Sequence, residues 1–84
     1  MENRTTKEEI RKYVLSEAED YGGFARGSLS EENDIAGTLV IDSLDRIDFI
    51  NSIEDHFEVR FNINEEEKMT TFKDIIEAVW RKKQ

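Results

Sequence analysis

Ser43, in the tripeptide Asp42-Ser43-Leu44, is the residue whose type and setting come nearest to chemistry. A serine hydroxyl needs a base to act as a hydrolytic nucleophile. The only histidine, His56, adjoins Phe57 at the end of a helical pattern, where a surface role is expected. Ser43 is better suited to be an attachment point. It falls between a long loop and a helix start, where a phosphodiester would lie near free amides and the positive end of the helix dipole. Taken by itself, it is equally an ordinary first-turn residue beside a good cap. The chain has no Cys, so thiolate metal sites and disulfides are excluded. An EF-hand loop opening at Asp42 needs oxygen ligands at its third and fifth positions and Gly at its sixth. Leu44, Arg46 and Ile47 stand there instead. Glu65-Glu66-Glu67 reads as a solvated helix start, able at most to hold a divalent ion loosely. No glycine-rich phosphate fingerprint is present. No catalytic residue and no metal site are expected, and the protein is not expected to be an enzyme.

The elements that must hold Ser43 come from 84 residues with 12 Lys+Arg against 20 Asp+Glu, a net charge of -8. Residues 1–84 form one domain with one modest core, which leaves little apolar surface for an enzyme cleft. The longest apolar run, Leu39-Val40-Ile41, is too short to span a membrane. Met1-Glu2-Asn3-Arg4 does not open a secretory signal. A cytoplasmic monomer is the expectation. Strong acidity disfavours nucleic acid and favours partners with basic surfaces.

Thr6 followed by Glu9 is a capping-box pattern. Ile10, Tyr13, Val14, Ala18 and Tyr21 then share one helical face until Gly22-Gly23, which predicts a first helix near residues 6–20. Residues 22–41 have no sustained period and read as a long loop pinned by Phe24, Leu29, Ile35 and Leu39. Asp42 as N-cap, with Asp45 in the first turn, opens a second helix running to about Phe57. Its core face is Phe49, Ile50, Ile53 and Phe57, an arc roughly 100° wide. Val59 to Ile63 alternates like a strand, but no second strand is available to pair with it. Asn64 is read as the cap of a short third helix near 64–69. Thr71 and Asp74 cap a last helix carrying Phe72, Ile75, Ile76, Val79 and Trp80, closed by Arg81, Lys82 and Lys83. The fold class is all-α. It is a small four-helix bundle of three main helices and one short one, with a long first loop.

Leu39-Val40-Ile41-Asp42-Ser43-Leu44-Asp45 resembles the attachment motif of acyl carrier proteins, usually written L-G-x-D-S-L-D. The likeness continues through Ile47-Asp48-Phe49-Ile50, Ile53-Glu54-Asp55-His56-Phe57 and Glu67 to Phe72, and covers about residues 6–82. It implies an acyl-carrier-protein-like bundle. It also implies that Ser43, flanked by Asp42 and Leu44, bears 4'-phosphopantetheine transferred from coenzyme A by a phosphopantetheinyl transferase. The terminal thiol of that arm would carry acyl groups as thioesters between enzymes of fatty acid, polyketide or related lipid biosynthesis. The lack of Cys then becomes intelligible, because the arm supplies the only thiol. Family members often shelter the acyl chain between helices.

The resemblance also implies that partner enzymes meet the second helix with basic patches. By position, Leu44, Ile47, Asp48, Asn51, Glu54 and Asp55 would form that surface. Carboxylates steer a basic partner while the aliphatics anchor it. A solvated helix face explains the charges but not two aliphatics off the core arc. Several residues depart from the family pattern: Val40 for glycine, Arg46 in the first turn, Asn51 for a larger apolar residue, Glu58 for glycine, and Asn62-Ile63 for a Pro-acid pair. Together they suggest a specialised carrier. A carrier of aminoacyl or other activated acids, and an unmodified acidic adaptor, are the alternatives.

Overall fold

Thr6 starts the first helix as its spacing to Glu9 predicts. The Thr6 hydroxyl accepts from the Glu9 amide at 3.1 Å, and the Thr6 amide donates to Glu9 Oε1 at 2.8 Å. Helix α1 runs Lys7–Gly22, starting one residue later and ending two residues later than expected. It stops at Gly23, whose φ of 74° is the left-handed region that glycine enters without strain. Its buried stripe is Ile10, Val14, Leu15 and Ala18, together with Glu19. The computed structural model describes residues 5–40 and 43–84, with the side chain of Ser43 outside that description.

The loop after α1 contains an element that periodicity did not suggest. A single turn, α2 (Ile35–Thr38), is capped by Asp34, whose carboxylate accepts from the Gly37 amide at 2.7 Å. Four residues carry too little pattern to announce a helix. Ile35 and Leu39 are buried and Leu29 packs against the core, as pins should; Phe24 stays exposed. The loop is also tied to the far end of the chain. Ile35 donates to the Thr70 carbonyl at 2.8 Å, and Lys73 donates to the Glu31 carbonyl at 2.8 Å. The Asn33 carbonyl also accepts from Phe72 at 3.3 Å, so the loop backbone serves the first two amides of the last helix.

Helix α3 (Ser43–Phe57) carries the predicted core face: Phe49, Ile53 and Phe57 are buried and Ile50 half-buried. Asp42, expected as its N-cap, lies outside the described residues. The helix ends against Glu58, at a φ of 57°, and the Lys83 ammonium donates to the Phe57 carbonyl at 3.0 Å. Val59 and Phe61 then turn inward in an extended segment. Their alternation is genuine although no strand pairs with them, because Glu54 supplies what a ladder would. Its carboxylate accepts from the Phe61 amide at 2.9 Å and its carbonyl from the Val59 amide at 3.0 Å.

Helix α4 is Ile63–Glu67. Its cap is Asn62 and not Asn64: the Asn62 side chain accepts from the Glu65 amide, and Glu65 accepts from the Asn62 amide, both at 2.8 Å. Both asparagines have a glutamate three residues on, Glu65 and Glu67, so spacing alone does not choose between them; the fold closes the box at Asn62. Helix α5 (Phe72–Lys82) opens with the expected Thr71–Asp74 box. Its Phe72, Ile75, Ile76, Ala78 and Val79 are buried, and α1 packs against both α5 and α3. Phe49 and Phe72 meet edge to face at 6.3 Å in the centre. The chain is thus a small, mostly helical globule of five described helices. Among the described residues there is no strand beyond one isolated bridge between Asp34 and Thr71. The expected three main helices are present, with two short helices in place of one. No helix among the described residues is long and apolar enough to cross a membrane.

Candidate attachment site and partner face

The backbone of α3 begins at Ser43. The nearest residues around Ser43 whose side chains are described are at the surface: Val40 is 88% exposed and Leu44 72%. Leu44 to Asp48 are five consecutive exposed residues, so this end of α3 stands clear of the core that its remainder packs into.

Of the expected partner face, Leu44, Ile47, Asp48, Asn51 and Asp55 lie exposed along α3. Ile47, at 54%, is the second exposed aliphatic of that face. Glu54 is a correction. It is 6% exposed, and besides accepting from Phe61 its carboxylate lies 3.6 Å from the Arg60 guanidinium. Glu54 sits at the border between the acidic stripe and the core arc, and the chain folding back at Glu58 covers it. Its carboxylate serves the backbone amide of Phe61.

Negative charge on this face bears on a neighbouring phenol. The Tyr21 phenol is pushed above its ordinary pKa, first by burial and then by the charges of Asp48, Glu17 and Asp45. Behind the face, the Ser52 hydroxyl donates to Glu17 at 2.8 Å and lies 2.8 Å from the Tyr13 hydroxyl, which locks α3 to α1. His56 is exposed, as expected for a surface residue, and stacks on the Tyr13 ring at 3.8 Å. That contact was not legible in the spacing.

A cavity of about 260 Å³ opens where α2, α3 and α4 converge. Its walls are Ile35, Phe49, Ile50, Ile63 and Met69, and its rim carries Arg46, Glu66 and Glu67. Ile63 contributes an exposed aliphatic that sequence reading passed over, because α4 was placed one residue later. The three-glutamate run is partly committed. Glu65 accepts from the Asn62 amide and pairs with Lys82 at 2.8 Å, and these contacts hold its carboxyl below the usual range. Among the described residues no group of three or more His, Asp and Glu is arranged to hold a metal ion.

No family model and no curated protein matches this chain. Its function has to be argued from its own residues.

Sequence reading missed one buried acid in addition to misplacing Glu54. Glu19, 3% exposed, accepts from the amides of Gly27 and Leu29 at 3.0 and 3.2 Å. It organises the loop that leads toward Ser43. Its place directly after Ala18 on the apolar stripe was the available signal.

Proposed function

We propose that this protein is an acyl carrier in which Ser43 bears 4'-phosphopantetheine. The observation that carries the proposal is that α3 begins at Ser43, between the exposed Val40 and Leu44, in an Asp-Ser-Leu sequence that resembles the carrier attachment motif. On modification the Ser43 hydroxyl oxygen bonds to the pantetheine-side phosphorus of coenzyme A. The pyrophosphate bond breaks, adenosine 3',5'-bisphosphate leaves, and a base on the transferase takes the serine proton. When bound, the arm supplies a thiol that holds acyl groups as thioesters. The chain's own residues present it: Leu44 and Ile47 anchor a partner enzyme while Asp48 and Asp55 steer a basic surface toward α3. We read the fold as the carrier bundle, with α1, α3, α4 and α5 as its four helices and α2 as a turn within its long first loop. The cavity beside α3 suits a sheltered acyl chain. The protein would act in the cytoplasm as a monomer without catalysis of its own. Its departures at Val40, Arg46, Asn51, Glu58 and Asn62-Ile63 favour a specialised lipid pathway.

The test is intact mass after incubation with coenzyme A and a broad-specificity phosphopantetheinyl transferase. One phosphopantetheinyl increment on the wild type, absent from Ser43→Ala, is the expected result. No increment on a folded protein with an active transferase overturns it. The exposed aliphatics among acids would then favour an adaptor whose α3 face binds a basic partner without Ser43.

A further inference from the structure

We propose that Arg46 is a positioning residue for the phosphate on Ser43. Its guanidinium pairs with the phosphodiester and holds the arm at the mouth of the cavity between α2, α3 and α4. The proposal rests on the carrier reading above and adds a role for a residue that departs from the family pattern.

Arg46 follows Ser43 by three residues on α3, about one helical turn. Arg11, Arg26 and Arg60 each pair with a carboxylate. The Arg46 side chain has no ion pair or hydrogen bond among the described residues, although Glu66 and Glu67 line the same cavity. A cation so near the start of a helix is disfavoured by the dipole, so the unmodified helix gains nothing from it there. A phosphodiester on Ser43 reverses that sign, because it places an anion within one turn of an unengaged guanidinium. Arginine is suited to the contact: its planar fork donates two parallel hydrogen bonds to phosphate oxygens, which lysine cannot reproduce. Its stem is also placed to matter. Arg46 borders the cavity together with Phe49 and Ile50, so a guanidinium on the phosphate leaves the aliphatic stem along the apolar wall. An arm held in this way is turned toward the cavity and away from Leu44 and Ile47. Arg46 thereby sets the balance between a stowed arm and a presented one.

The experiment compares apo and phosphopantetheinylated protein, each verified by intact mass. The readouts are the side-chain Nε–Hε resonances of ¹⁵N-arginine-labelled protein and the single ³¹P resonance of the arm. Modification is expected to move the Arg46 Nε–Hε resonance and leave Arg11 and Arg60 in place. The ³¹P resonance is expected to shift between wild type and Arg46→Gln, with Arg46→Lys keeping only part of the wild-type position. Added salt should erase the difference between wild type and Arg46→Gln. An unmoved Arg46 resonance on fully modified protein overturns the proposal and leaves the carrier function intact, whether or not Arg46→Gln folds. An identical ³¹P resonance in wild type and folded Arg46→Gln does the same. A missing mass increment overturns the carrier reading and this inference with it.

Discussion

Helix α3 contains two regions with the same backbone and opposite surroundings. From Leu44 to Asp48 every residue is exposed, including two aliphatics. From Phe49 to Phe57 the helix buries Phe49, Ile53 and Phe57, and Glu54 with them. Leu44 and Ile53 are similar in size and apolarity, yet one is 72% exposed and the other fully buried. Hydrophobicity therefore does not decide the role of a residue here; what packs against it does. The first region has the composition of a docking surface, and the second is the scaffold that holds it out.

The largest expected effects break the scaffold. Phe49→Ala should cost about 3–5 kcal/mol, because it empties the aromatic centre of the core. Leu44→Ala should change stability by no more than about 0.5 kcal/mol and, under the proposed carrier function, weaken association with partner enzymes. Urea unfolding of the two variants tests the contrast directly. If Leu44→Ala cost as much as Phe49→Ala, the exposed region would belong to the core.

The next effect concerns the two carboxylates that sequence reading placed on one face. Glu54→Ala should cost about 1–3 kcal/mol, since it leaves the Phe61 amide without its buried acceptor. Asp48→Ala should leave the urea midpoint unchanged and slow association with a basic partner at low salt. Equal stability loss in the two variants would contradict the division of the helix.

A smaller effect tests the end of the scaffold. Glu58 occupies the left-handed region with φ at 57°. Glu58→Gly should raise stability by about 1 kcal/mol, because a side chain is strained there and glycine is not. An unchanged or lower melting temperature would show that the Glu58 side chain earns its place through contacts.

The smallest effect is on acid stability. Asp74 is held below its ordinary pKa chiefly by hydrogen bonds from the Thr71 and Thr70 amides. A lowered folded-state pKa means that the unfolded chain binds the proton more tightly. The stabilisation is therefore complete above the unfolded value and is lost as pH falls through the folded one. Asp74→Asn should reduce the dependence of the urea midpoint on pH below the ordinary aspartate range and leave the dependence near neutrality unchanged. An identical acid limb in both proteins would refute that role.

Much of this was legible in the chain because the signals are local. The Thr6–Glu9 and Thr71–Asp74 boxes act across three residues, and the core arc of α3 follows from a fixed helical period. The exposed aliphatics Leu44 and Ile47 could be read off the same wheel. The single turn α2 could not, because it depends on Asp34 capping four residues whose backbone is tied to Thr70. The cap of α4 was misplaced by two residues, since Asn62 and Asn64 are equal in kind and each has a glutamate three residues on.

By itself the sequence determined the helix starts, the buried stripes, the acidity of the α3 face and the Asp-Ser-Leu tripeptide at its head. Each follows from residue type at a spacing of four or fewer, where the chain has no choice of neighbour. Only the tertiary structure decided which acids face solvent. Glu19 and Glu54 are drawn inside because amides of Gly27, Leu29 and Phe61, seven to ten residues away, need acceptors there. It also decided that α2, α3 and α4 converge on one cavity with Arg46 at its rim. Such contacts depend on how segments fold back on one another, and no local pattern encodes the direction of return.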